Sequence, residues 1–91
     1  MVYRAKIQVT LRKSILDPQG KAVEHAIASL GEGAFRNVRI GKYVELQVEG
    51  PSLEEARSMT DQVCRKLLAN PVMEDYHVEI EPVTIEEASN G

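Results

Sequence analysis

The sequence has no tryptophan, one phenylalanine and one cysteine, and no apolar run near the roughly 20 residues that a membrane-spanning helix needs. Each shortage excludes something. A lone cysteine, Cys64, cannot build an intrachain disulfide framework. Aromatics at 4% of residues leave few platforms on which nucleic-acid bases could stack. A basic surplus is also missing: the net charge is −3 and the pI about 5.3, which argues against a nucleic-acid partner. The opening residues Met1–Lys6 show neither the apolar stretch nor the cleavage site of a secretory leader. Together with the single thiol, this leads to the expectation of a cytoplasmic protein with no membrane partner.

What is present is ordinary in amount and uneven in placement. Ninety-one residues, 43% hydrophobic and 27% charged, are enough for one core only. We expect one domain over residues 1–83 and a loose C-terminal tail over 84–91. A core this small gains from burying more surface against a partner, so oligomerisation is expected. Residues 1–42 hold eight Lys/Arg against three Asp/Glu, a net +5, whereas residues 43–91 hold three against eleven, a net −8. Complementary surfaces follow, within the fold, between subunits or on a larger partner.

The pattern of side chains predicts the elements. Tyr3, Ala5, Ile7, Val9 and Leu11 alternate with Arg4, Lys6, Gln8, Thr10 and Arg12, which is a half-buried strand. Asp17-Pro18 supplies an N-cap oxygen followed by proline at the first helical position. Val23, Ala26, Ile27 and Leu30 then form one helical stripe, stopped by Gly31 in a left-handed cap. Between Arg36 and Glu49 the aliphatic residues Val38, Ile40, Val44, Leu46 and Val48 are all even-numbered, interrupted only by Lys42. One long strand, bent at Gly41, is preferred over a hairpin at Gly41-Lys42, which would flip Val38 and Ile40 to the other face. Ser52-Leu53-Glu54-Glu55 reads as a capping box opening a second helix with the inner stripe Ala56, Met59, Val63 and Leu67. That helix must end before Pro71. Tyr76, Val78 and Ile80 alternate with His77, Glu79 and Glu81 in a last strand ending near Pro82.

The expected fold is therefore α+β, an antiparallel β-sheet in the order β-α-β(β)-α-β with two helices on one face, and with sheet or strands shared in a dimer. The first strand turns cations outward and the other two turn carboxylates outward. Neighbouring strands of this kind pair by charge, each exposed pair contributing about 0.2–1 kcal/mol.

No constellation for catalysis stands out. Cys64 has no histidine at helical spacing and reads as a structural thiol. His25 and His77 read as surface or interface residues. Gly31-Glu32-Gly33 follows a helix rather than a strand and lacks the third glycine of a phosphate loop. Glu54-Glu55 and Glu86-Glu87 read as solvated or capping charge. The residues alone lead to a small, oligomer-forming α+β binding module, for which a free-standing regulatory or small-ligand-binding role is the alternative to a subunit of a larger assembly.

Three segments carry a resemblance: Leu16-Asp17-Pro18-Gln19-Gly20, Val38 to Leu46 (VRIGKYVEL), and Lys66 to Tyr76 (KLLANPVMEDY). In order and spacing they resemble the PurS family, small subunits of the formylglycinamide ribonucleotide amidotransferase of purine synthesis. The resemblance covers residues 2–83. The Gly31–Ala34 connection, Met73 in place of the commoner isoleucine, and the tail after Val83 depart from it. It implies a non-catalytic dimer or tetramer that bridges the synthetase subunit PurL and the glutaminase subunit PurQ and supports ammonia transfer between them. It implies no cofactor of the chain's own, the complex using ATP, Mg and glutamine. Partner contact is expected at Asp17, Gln19, Gly20, Arg39, Gly41 and Lys42, and a structural role at Pro18, Asn70, Pro71, Glu74 and Tyr76. Gln19 offers an amide, Gly20 permits close backbone approach, and Lys42 alone breaks the apolar face.

Overall fold

A computed structural model describes residues 1–31 and 33–84; Glu32, Glu86-Glu87 and the tail beyond Thr84 lie outside the described residues. Three strands, β1 (Val2–Leu11), β2 (Gly41–Glu49) and β3 (Glu74–Pro82), form an antiparallel sheet in the order β2-β1-β3. The helices are α1 (Pro18–Ser29) and α2 (Leu53–Val63), the latter prolonged by a π turn over Cys64–Leu68.

The strand alternation decides both faces of the sheet. Tyr3, Ala5, Ile7 and Val9 of the central strand are buried, and register sets Ile7 opposite Val44 on one side and Val78 on the other. Leu46 and Ile80 flank Ala5 in the same way. α2 covers this apolar face, bringing Cys64 and Ala69 into the core. The opposite face is polar. There Arg4 reaches Glu45 at 3.2 Å and Glu81 at 3.5 Å, and Lys6 reaches Glu81 at 3.3 Å, so the opposite charges of neighbouring strands do meet.

α2 presents a different stripe from the one its hydrophobicity suggests. Ala56, Thr60 and Cys64, four residues apart, face the sheet, while Met59, Val63 and Leu67 are 45%, 41% and 77% exposed. The buried stripe is thus made of small side chains, the larger apolar residues of the helix lying outside it. Thr60 is tolerated in the core because its hydroxyl donates to the Ala56 carbonyl at 2.8 Å. Burial, with Asp61 nearby, pushes the Cys64 thiol up from its ordinary pKa, which suits a structural rather than a reactive role. At the helix start the Ser52 hydroxyl accepts the Glu55 N–H at 3.2 Å; among the described residues only this serine half of the capping box forms.

The expected α+β fold, an antiparallel sheet with two helices, is what forms, α2 packing on the strands and α1 being held beside residues 38–40. Among the described residues the α1 stripe finds little cover: Val23 is 38% exposed and Leu30 80%. The molecule is accordingly extended, with a radius of gyration of 16.9 Å against about 12 Å for a compact chain of this length. Gly31 does stop the helix in the left-handed region, at φ 87°.

Neither a long strand nor a hairpin fills residues 36–49. The strand begins at Gly41, and residues 36–40 are irregular. Asn37 sits at φ 57°, a conformation asparagine tolerates better than most residues, and the Ile40 N–H turns away from the ladder to a side-chain acceptor.

Candidate functional site

That acceptor is Asp17. Its Oδ1 accepts the Gly20 N–H at 2.9 Å, capping α1, and its Oδ2 accepts the Ile40 N–H at 2.8 Å. One carboxylate thus ties the start of α1 to the lead-in of β2. The two amides, Gly20 first and Ile40 second, hold its pKa below the usual carboxylate value, against a smaller opposing effect of burial. Pro18 follows at the first helical position, as its fixed φ favours. Gly20 is buried here, and a Cβ on it would fall well inside contact with the Val38 carbonyl oxygen. Gly41 is glycine for a similar reason, since a Cβ there would run into the Val9 carbonyl of the adjacent strand. Asp17, Gly20 and Gly41 therefore each have a complete explanation inside the chain. A second carboxylate repeats the device: Glu24 Oε1 accepts the Asn37 N–H at 2.7 Å, and that amide is the main cause of a lowered pKa at Glu24.

Two recesses open on either side of this clamp. One, of about 450 Å³, is lined by Gln19, Gly41 and Lys42 together with Val9, Leu11 and Glu74. The other, of about 530 Å³, is lined by Asp17, Val38 and Arg39 with Lys13, Leu16 and Lys21 among its neighbours. The structure therefore brings all six expected contact residues to one end of the molecule. Gln19 and Lys42 are exposed there, and Arg39 is half-buried. Lys42 stands opposite Val9 at the margin of the apolar face, which is why it breaks the even-numbered pattern. Lys13, Lys21 and Glu24 were not singled out by sequence. They sit in a loop and on a helix whose relation to residues 37–39 only the fold creates.

The structural motif residues lie nearby on the other edge. Asn70 organises a tight loop: its N–H donates to Glu74 Oε1 at 2.7 Å and its Oδ1 accepts the Val72 N–H at 3.0 Å. Its carbonyl accepts the N–H groups of Met73 and Glu74. The Pro71 carbonyl takes a bond from the Arg12 guanidinium at 2.5 Å, and the Arg12 N–H donates to the Met73 carbonyl at 2.9 Å. Tyr76 donates its hydroxyl to the Asp61 carboxylate, joining β3 to α2. That bond, and then burial, raises the pKa of the Tyr76 hydroxyl. His77 is exposed, 3.7 Å from Glu79. Among the described residues no group of three or more His, Cys, Asp or Glu is placed to hold a metal ion, and no helix is long and apolar enough to cross a membrane.

With this geometry established, comparison with known proteins is specific. Residues 4–82 match the family model described as "PurS: Phosphoribosylformylglycinamidine (FGAM) synthase". The phosphoribosylformylglycinamidine synthase subunit PurS of Bacillus subtilis is 46% identical over 82 residues, covering 90% of this chain and 96% of that protein. That of Synechocystis is 47% identical over 78 residues, covering 86% and 78%. A solved structure of the Bacillus subtilis protein superposes with a TM-score of 0.78 over 88% of this chain and 99% of its own. A chain in a Thermotoga maritima structure described as PurLQS gives 0.82 at 30% identity, over 89% and 99%. The clamp at Asp17, the glycines it needs and the loop at Asn70 occupy the three segments that carried the resemblance, and the chain belongs to the PurS family.

Proposed function

We propose that this chain is the small, non-catalytic subunit of phosphoribosylformylglycinamidine synthase, bridging the glutaminase subunit PurQ and the synthetase subunit PurL and supporting ammonia transfer between them. The observation that carries the reading is family membership over residues 4–82, reinforced by the TM-score of 0.82 to the chain from the PurLQS structure. The chain acts as one domain over residues 1–83, in the cytoplasm, with no cofactor of its own. ATP, Mg and glutamine are handled by the larger subunits. Gln19, Arg39 and Lys42 contact a partner, while Asp17, Gly20 and Gly41 fix the backbone that presents them.

The physical form of the molecule supports assembly. An apolar stripe on α1 and a ridge of Met59, Val63 and Leu67 on α2 stand in solvent, and both β2 and β3 are edge strands. Uncovered edges and apolar stripes of this kind favour pairing with another chain. Self-association buries them first, and the bridging role uses what remains. The test is reconstitution. The purified chain should self-associate at micromolar concentration, co-elute with PurL and PurQ, and restore glutamine-dependent activity to them. A chain that does neither of the last two, under conditions where the relatives' complexes form, would overturn the reading.

A further inference from the structure

The described cations divide into those the fold uses and those it leaves alone. Arg4 and Lys6 pair across the sheet, Arg12 meets Asp75 and the Pro71 carbonyl, and Arg65 meets Asp61 at 3.1 Å. Lys13 and Arg39 form no ion pair or hydrogen bond among the described residues, Arg39 acting only through its charge on Asp17, and Lys21 has only the neighbouring Glu24 at 3.4 Å. These three come from the loop after β1, the first turn of α1 and the approach to β2. They line the 530 Å³ recess together with the polar residues Ser14, Asp17 and Asn37 and an aliphatic wall of Ile15, Val38 and Leu16, the last 70% exposed.

The chemistry of the recess separates two kinds of anion. A phosphate group is ordinarily held by backbone N–H groups at a helix start or in a loop, with a cation in support. Here those donors are already taken. Asp17 holds the Gly20 and Ile40 amides, and Glu24 holds the Asn37 amide. What remains is a set of long cationic side chains beside an aliphatic wall, the Asp17 carboxylate of the same recess being occupied by the Gly20 and Ile40 amides. That combination suits an acidic side chain flanked by an aliphatic one on a protein surface, where charge complementarity sets register and encounter rate.

We propose that this recess receives an acidic segment of one of the two larger synthase subunits, with its carboxylate at the Lys13–Arg39 rim and an aliphatic side chain against Leu16 and Val38. The inference rests on the assembly reading above and adds the chemistry by which one partner is recognised. The +5 charge of residues 1–42 then has two uses: Arg4 and Lys6 neutralise the chain's own carboxylates, and the cations of the recess are held for another chain.

Binding of the full chain to PurL and PurQ, measured at about 50 and 300 mM salt, tests this. Wild-type binding should weaken as salt rises. Lys13→Glu and Arg39→Glu together should weaken assembly about tenfold or more at low salt and flatten its salt dependence, each alone having a smaller effect. Arg57→Glu, a reversal of an unpaired cation away from the recess, should change little. Lys13→Ala with Arg39→Ala should give an intermediate loss, and an unaltered thermal melt of each variant would show that folding is preserved. Assembly of the wild type with no loss in the reversed variants would overturn the proposal and leave the assembly reading intact. Saturable binding of pyrophosphate to the free chain, removed by the same reversals while assembly persists, would make the recess a phosphate site and also overturn it. Loss of self-association in the reversed variants would assign these cations to contact between copies, again overturning it. Failure of the wild type itself to assemble would overturn the assembly reading and this proposal together.

Discussion

The two ends of this small molecule are held together by different physics. Around β1 the chain behaves like an ordinary core: Ala5, Ile7 and Val9 are essentially inaccessible, α2 lies across them, and the charges of the open face are paired strand to strand. Around α1 there is hardly any core. The helix is fixed by two carboxylates, Asp17 and Glu24, and one glycine contact, its apolar stripe is largely exposed, and among the described residues Lys13 and Arg39 form no ion pair. The first region stabilises the fold; the second fixes a local geometry and leaves its surface exposed.

Substitutions can break this contrast or sharpen it. The largest effect is expected at Ile7→Ala, which empties the centre of the sheet and should cost about 2–5 kcal/mol in urea unfolding. A loss below that range would mean that the sheet relaxes far more than a core should. Gly41→Ala forces the β1 and β2 backbones apart and should cost about 1–3 kcal/mol by the same measurement. Gly20→Ala should instead act locally, accelerating amide exchange over residues 17–30 while the amides of β1 keep their protection. Uniform acceleration across both regions would erase the distinction.

The clamp also carries a pH signature. Because the Asp17 pKa is lowered in the folded chain, its contribution is fully present above the unfolded-state value and is lost as pH falls through the folded one. Amide exchange at Gly20 and Ile40 should therefore quicken on acidification below the ordinary carboxylate range, before the core opens. Asp17→Asn should remove that dependence. The smallest effect belongs to the open face, where Arg4→Ala should cost about 0.2–1 kcal/mol and less at high salt. Double-mutant cycles with Glu45 and Glu81 measure it.

Much of this was legible in order along the chain. Strict alternation at Tyr3 to Leu11 defines the central strand, since period two leaves only one way to bury one face. Asp17-Pro18, Ser52 and Pro71 mark helix starts and stops because caps and prolines act within a few residues. Stripes were read less well. Met59, Val63 and Leu67 outrank Thr60 in hydrophobicity, yet Thr60 faces the core, its hydroxyl satisfied by the Ala56 carbonyl. The stripe at Val23 and Leu30 is a true helical face that stays largely uncovered among the described residues, and nothing local distinguishes such a face from a packed one. The recess was illegible for another reason: Lys13, Lys21 and Arg39 approach one another only through the Asp17 clamp.

By itself, then, the sequence determined the alternating strands, the caps, the glycine positions and the family, because each depends on short-range sterics or on motifs read residue by residue. The tertiary structure decided which face of α2 is inside, that β2 begins at Gly41, and that six motif residues share one end of the molecule. Those outcomes depend on distances between segments far apart in the chain. Most of all it decided that α1 stands away from the core, where one buried glycine, the doubly bonded Asp17 carboxylate and Glu24 outweigh an apolar stripe left largely uncovered among the described residues.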